Sequence, residues 1–244
     1  MEFTVVTVAD RPDQNDEAEA AFRERWPEFV FHDQLANACL ERVDQYFPQF
    51  QIRVLADGAV AAGGWGVPFV WDGKLDQLPE GFRTALAQSI DEHEAGQAPN
   101  GFSFMAAAVA RKFDKLGLAT HVLNALIERA QAAGLEAVVA PVRPTWKDRY
   151  AQFSMADYAQ WRREDGLSID PWIRTHQRMG ATILKPAPNS MVVEGSVTEW
   201  EGWAGMPFPA SGGYCVPGAL NLVEVDREND VAIYREDNLW LRHR

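Results

Sequence analysis

Arg111, Lys112 and Lys115 place three of the chain's 23 cations within five residues, and Gly117 follows almost at once. An apolar run precedes them and a helix-patterned segment follows, so they fall where a strand hands over to a helix start. The first N–H groups of a helix have no partner inside it, and the helix dipole is positive at that end, so the place suits a phosphate. Glycine there lets a backbone approach closely. The plainer alternative is a solvated basic turn, and neither a P-loop nor a Rossmann glycine fingerprint is present to decide between them. A second basic group, Arg143, Lys147 and Arg149, offers a site for an anion or simply a solvated loop. Glu28, His32 and Asp33 would select a cationic amine, or are ordinary surface charge.

The elements that must position these residues can be read from apolar spacing. Phe3–Val8 is a predicted strand, Ala18, Ala21 and Phe22 suggest a first helix, and Leu35, Cys39, Leu40 and Val43 a second. Gln51–Leu55 and Val60–Val70 are strands joined by Asp57-Gly58, a hairpin signal. Gly63, Gly64 and Gly66 weaken the second of them, as is tolerated where a backbone or ligand comes close. A short helix is expected around Thr84–Glu94. Phe102–Ala110 is a strand, and a helix from Gly117 to Ala133 carries Leu118, Val122, Leu126, Ile127 and Ala130 on one face, with Gly134 placed to end it. Glu136–Val142 is a buried-type strand, which makes a βαβ crossover with parallel or nearly parallel strands. Asp170-Pro171 opens a short helix that stops at Gly180, and Ala181–Lys185 and Met191–Glu194 look like closing strands. The tail from 197 holds Trp200, Trp203 and Trp240 and a hairpin across Asp226–Asp230. It shows no core of its own and reads as an extension packed on the main domain.

Composition bounds the function. The 244 residues carry a net charge of −12, and 47% are apolar, enough for one sizeable core. An acidic field of that size disfavours nucleic acid and anionic membranes as partners. Cys39 and Cys215 are expected as two reduced, buried thiols rather than a disulfide framework. His32, His93, His121, His176 and His243 are scattered, with no metal-site spacing. The start, MEFTVVTVAD, has no basic n-region and no long apolar stretch, so a cytoplasmic location is expected. The longest apolar stretch is about half a membrane span.

The stretch Val109-Ala110-Arg111-Lys112-Phe113-Asp114-Lys115-Leu116-Gly117-Leu118-Ala119-Thr120, ahead of an amphipathic helix, resembles the acetyl-CoA-binding motif of the GNAT acyltransferase superfamily. Gly117 and Ala119 match the motif, and Asp114 stands where Gln or Arg is usual. The resemblance, which covers roughly residues 1–195, implies a GNAT-like α/β fold: a mixed twisted sheet flanked by helices, here with residues 196–244 as a C-terminal extension. It implies acetyl-CoA, or another acyl-CoA, as co-substrate and no metal. It also implies that backbone groups around Asp114, Lys115, Leu116, Gly117, Leu118, Ala119 and Thr120 take the pyrophosphate, beside Arg111, and that Ala108, Val109 and Ala110 hydrogen-bond the pantetheine arm.

Amide formation from a thioester needs a neutral amine, a polarised carbonyl and a proton for the departing thiolate. Many members take that proton from a Tyr four residues before a glycine step. The equivalent position here, four before Gly180, is His176, which the resemblance makes an acid or a base, against a structural histidine on a short helix. Tyr150 is the other acid candidate, or a packing tyrosine. Trp26, Thr145 and Trp146 are candidate substrate residues, and the aromatics from 146 to 161 form either a lid or a cover for the sheet. The segment from Asp170 to Ala181 also resembles the GNAT-like loading domains of polyketide synthases, which decarboxylate malonyl-CoA and pass the acyl group on. Met191 stands where those have an arginine. The leading expectation is acetylation of a small-molecule amine by direct attack on the thioester, by a monomer or homodimer. A decarboxylase and a CoA-binding or interaction module without catalysis are the alternatives.

Overall fold

In the computed structural model, which describes residues 2–11, 18–19 and 22–243, one continuous nine-stranded sheet carries helices on its faces. The strands are β1 (Phe3–Thr7), β2 (Gln51–Ala56), β3 (Ala59–Phe69), β4 (Gly101–Val109), β5 (Ala137–Val142), β6 (Thr182–Gly195), β7 (Gly212–Tyr214), β8 (Val223–Asp226) and β9 (Val231–Arg242). The helices are α1 (Gln34–Tyr46), α2 (Phe82–Glu94), α3 (Leu118–Ala132), α4 (Met155–Tyr158), α5 (Pro171–Arg178) and α6 (Val197–Ala204). Of the expected first helix, residues 18–19 and 22–23 are helical, while Ala21 lies outside the described residues.

The order β1-β2-β3-β4-β5-β9 is antiparallel throughout except between β4 and β5, which run parallel as the crossover requires. The crossover helix α3 buries Leu118, Val122, Leu126, Ile127 and Ala130, the face read from their spacing. Each of the Leu, Val and Ile side chains contributes about 1.5–3 kcal/mol when taken out of water. Beyond its last turn Gly134 sits at φ 77°, Leu135 N–H donates to Ala130 O and Gly134 N–H to Gln131 O. That pair of bonds is a Schellman stop. The glycines of β3 answer to packing. A Cβ on Gly64 would lie 2.6 Å from Val122 Cγ1 and 2.7 Å from Ala106 O, so their absence brings α3 down onto the sheet.

The end of the chain departs from expectation. Residues 231–242 do not pack outside the domain but enter the sheet, with β5 on one edge of β9 and β6 along the other. Leu239, Trp240 and Leu241 are fully buried there and complete the main core. The two expected closing strands are one strand, β6, with irregular register between Ala187 and Met191. Residues 196–230 are therefore an insertion between β6 and β9. It also has a core: Trp200, Phe208, Val216 and Val223 close around Phe29 and Tyr234. Tyr234 meets Phe29 edge-on at 5.1 Å. β8 pairs with β9 on the edge that β5 leaves, and Arg143 sits between them, donating to both Glu236 oxygens at 2.9–3.0 Å and to Gly218 O at 2.6 Å. Cys39 is buried, but Cys215, expected buried, is exposed in the insertion, and both are free thiols.

Candidate active site

The sheet forks at its centre. β4 and β5 pair only over Gly101↔Ala137, Phe102↔Val138 and Ser103↔Val139. From Phe104 to Val109, β4 is bonded to β3 alone, and among the described residues no strand pairs with its other edge. Twist pulls neighbouring strands apart, and the register shift at Trp65/Gly66 on β3 adds to it. The open edge includes Val109 and leads through Ala110 into the bend.

The bend is a short helical turn, Arg111–Phe113, followed by Asp114–Gly117 and the first turn of α3. Phe113 is buried and anchors it, whereas residues 114–117 are exposed. Lys115 (φ 67°) and Gly117 (φ 75°) are both left-handed. Space around Gly117 is open, so glycine is required there by its backbone angle and not by crowding. α3 has no side-chain cap, and among the described residues the N–H groups of Leu116, Gly117, Leu118 and Ala119 make no hydrogen bond. Four successive donors at a positive helix end suit an anion with several oxygens. Thr120 N–H already bonds Gly117 O at 3.0 Å. The side chains are arranged to favour the same occupant. Asp114 faces Arg25, with Nη1 and Nη2 at 3.2 and 3.1 Å from its two oxygens, so its charge is matched away from the free donors. Arg111 reaches back to Glu24, while Lys112 lies over the Phe113 ring.

A second centre forms around Asp170, which is fully buried. Its Oδ1 accepts from Trp172 and Ile173 N–H, capping α5, where Pro171 needs no partner. Its Oδ2 accepts from Trp146 N–H at 2.7 Å and Tyr158 Oη at 2.9 Å, and Thr145 Oγ1 stands 3.5 Å from Oδ1. Burial, with the carboxylate beside it, pushes the Tyr158 phenol far above its usual range. One carboxylate thus ties the loop holding Thr145 and Trp146 to the helix holding His176. In the sequence Asp170 is marked only as a helix start.

His176 is 1% exposed, and its Nδ1 lies 2.8 Å from Nε2 of His243. Burial, with His243 alongside, pushes the His176 imidazole down to about 3, and burial pushes His243 down to about 4. Both rings are therefore neutral near pH 7, so His176 starts as a neutral proton acceptor or hydrogen-bond donor and not as a standing imidazolium acid. His243, counted among scattered histidines in the sequence, is brought here by β9.

The remaining candidates divide. Tyr150 packs its ring against Trp161 and Tyr158 at 5.0 and 5.9 Å, inside the aromatic group that covers this side of the sheet. Trp26 is half-buried between Arg25, which meets the bend, and Pro27, whose ring lies against Gly218 of the insertion. In the second basic cluster two of the three cations are committed inside the fold, and Arg149 is exposed. Arg143 holds Glu236, and buried Lys147 donates to the carbonyls of Tyr150 and Leu220, its ammonium weakened by desolvation. Arg149 stacks over Trp146 at 4.6 Å. Asp33 is likewise committed, capping α1 and accepting from Val192 N–H. A separate cavity of about 460 Å³ opens at the β6–β9 hairpin end, where His32 stacks on Trp203 near Glu194 and Glu199. Among the described residues no group of three His, Cys, Asp or Glu side chains could hold a metal, and no helix is long and apolar enough to cross a membrane.

No protein-family model matches the chain. It is 29% identical to the arginine N-acetyltransferase avaD of Aspergillus versicolor across 273 aligned positions, which cover 99% of this chain and 93% of that one. It superposes on the loading GNATL domain of CurA from Lyngbya majuscula with a TM-score of 0.61 and 17% identity, over 99% of this chain and 97% of that one. The GphF GNAT-like decarboxylase in complex with isobutyryl-CoA gives 0.56 at 16% identity, over 100% and 98%. At these identities the structural likeness is one of fold. The chain has the GNAT fold, the mixed α/β sheet flanked by helices that the sequence resemblance implied.

Proposed function

We propose that this chain transfers an acetyl group from acetyl-CoA to a small-molecule amine by direct attack of the amine on the thioester. The observation that carries the reading is a path of two open stretches of backbone, the free edge of β4 from Phe104 to Val109 and the four free N–H groups of Leu116–Ala119, joined by a turn in which Ala110 N–H donates to Ala61 O and Phe113 N–H to Ala110 O. Such a path fits an extended amide-bearing arm ending in a pyrophosphate, and GphF shows that a protein of this fold takes an acyl-CoA. The avaD relative, alike over nearly the whole chain, is named for N-acetylation of arginine, a small cationic amine.

In this reading Arg111 and Lys115 add positive charge to the pyrophosphate site and Val109 holds the arm by its backbone, while Ala110, whose N–H is given to Ala61 O, sets the turn beside it. Trp26, Thr145 and Trp146 line the acceptor side. His176 is the proton-handling residue: as the C–N bond forms, the attacking nitrogen loses a proton, and as the C–S bond breaks, the sulfur gains one. A neutral imidazole can carry it between them. Tyr150 is the alternative donor. Malonyl-CoA decarboxylation is the weaker reading, because Met191 is a buried apolar residue where the loading domains' resemblance calls for an arginine.

Titration calorimetry with acetyl-CoA tests the first half, and binding in the micromolar range is expected. No heat at millimolar cofactor would remove both enzyme readings. Thiol release with L-arginine and a panel of simple amines tests the second half, with conversion of malonyl-CoA to acetyl-CoA run alongside. Binding without turnover in either assay would favour a binding module.

A further inference from the structure

Two histidines 67 positions apart share one hydrogen bond inside the protein. The His176 ring stands edge-on to Trp172 at 4.5 Å, and His243 stands edge-on to Phe104 at 5.1 Å. Phe104 is the first β4 residue past the last β4–β5 pair, and His243 N–H donates to Val138 O on β5. The pair therefore sits at the vertex of the fork. Among the described residues, His176 Nε2 and His243 Nδ1 are buried and make no hydrogen bond. A buried polar nitrogen without a partner costs roughly 1–3 kcal/mol, so its retention calls for an explanation.

We infer that His243 is a positioning residue: by accepting from His176 Nδ1–H it fixes the tautomer of His176, so that Nε2 presents a lone pair at the fork. Only one hydrogen can occupy the Nδ1···Nε2 contact: carried by His176 it leaves His176 Nε2 bare, carried by His243 it leaves His176 protonated at Nε2, and the first arrangement is the one that supplies a proton acceptor. The inference rests on the acyl-transfer reading for its chemistry. There the C–N bond forms, the amine proton passes to His176 Nε2, and the same proton leaves for the sulfur as the C–S bond breaks. During the transient imidazolium state the bond to His243 becomes charge-assisted and stronger. No carboxylate is needed for the balance, and none contacts either ring among the described residues.

Saturation kinetics with acetyl-CoA and L-arginine on His243→Phe and His243→Gln test this. The Phe variant keeps an aromatic ring against Phe104 and is expected to lower kcat about 30-fold with both KM values within about 2-fold. The Gln variant, whose amide reaches the Nε2 position, is expected to recover kcat to within about 5-fold of wild type. An unchanged kcat in His243→Phe, or equal losses in the two variants, would overturn the proposal. Histidine 15N NMR on the full chain without ligand supplies an arm independent of turnover. A fixed Nδ1–H on His176 in wild type that becomes a tautomer mixture in His243→Phe upholds the pairing, and a mixture already in wild type overturns it. Should wild type transfer nothing while the fixed tautomer is seen, the functional reading falls and the positioning stands.

Discussion

The bend at 111–120 and the pocket around Asp170 and His176 are built in opposite ways. The bend is made from ten consecutive residues and offers mainly backbone: free N–H groups, a left-handed glycine and an uncapped helix end. The pocket is made largely from side chains of three segments, at 145–158, 170–176 and 243, with Tyr158, Asp170 and His176 buried at its centre, His243 partly buried and Thr145 exposed at its edge. The first should tolerate changes of side chain and resist changes of backbone angle. The second should behave in reverse, because its central groups, Asp170, Tyr158 and His176, have been taken out of water and depend on named side-chain partners.

The sharpest test of that contrast is Asp170→Ala. It would leave Trp146 N–H, Tyr158 Oη and the first N–H groups of α5 without their acceptor in a dry site. Losing a helix cap costs about 1 kcal/mol and each stranded donor 1–3 kcal/mol, so a loss of roughly 3–5 kcal/mol is expected. For a chain of this size that lowers Tm by roughly 10 °C, read by thermal denaturation, with turnover abolished. A drop under about 3 °C would mean that the hub is dispensable.

Next in size is the response to acid. The His176 imidazole is held near 3 in the folded protein against about 6.5 when unfolded. Between those values the unfolded chain binds more protons, so stability is full above pH 6.5 and declines as the pH falls towards 3. From pH 7 to pH 5 His176 alone should remove about 2 kcal/mol. Denaturant unfolding of wild type and His176→Gln at the two pH values should show a decline shallower by that amount in the variant. Parallel declines would put His176 in contact with water and undo the pocket as described. The bend itself, residues 111–120, contains no histidine.

The same contrast explains what could be read from the sequence. Periodicity revealed α3, its stop at Gly134 and the two strands beside it, because each rests on contacts within a few turns of chain. The bend was legible for the same reason, with basic residues, glycine and helix start lying in one line of sequence. Asp170 and His243 were not legible as site residues. An aspartate before a proline looks like any helix cap, and its acceptance of Trp146 and Tyr158 depends on how the 145–158 segment folds back. His243 acquires meaning only once β9 inserts between β5 and β6, and strand order within a sheet leaves no mark in the spacing of the strand itself. The aromatic residues of the tail were visible, yet Trp240 in the main core and Trp200 in the insertion belong to different clusters.

At the bend, Gly117→Ala should act through backbone angle alone, since a Cβ there would meet nothing within 4 Å. Holding a non-glycine residue at φ 75° costs about 1–2 kcal/mol. A shift of the helix start out of that conformation would spread the four donors. The expected outcome is about a tenfold weaker acetyl-CoA affinity by calorimetry, with kcat at saturation nearly unchanged. A large loss of kcat with intact affinity would contradict the assignment of this bend to binding.

The smallest effect is expected at Asp114, and it probes whether side chains matter there at all. Its carboxylate is about half exposed and paired with Arg25, an arrangement worth less than 1 kcal/mol to folding. Asp114→Gln should therefore leave Tm within about 2 °C. The substitution removes one negative charge beside the four free donors and releases Arg25 from its partner, both of which favour a bound pyrophosphate. A two- to fivefold gain in acetyl-CoA affinity at low salt is expected, shrinking as ionic strength rises because both charges face solvent. An Asp114→Gln variant that binds more weakly would show that the Arg25–Asp114 pair, by holding the 22–26 segment against the bend, shapes the site rather than merely flanking it. The cofactor side would then depend on a long-range side-chain contact just as the histidine pocket does.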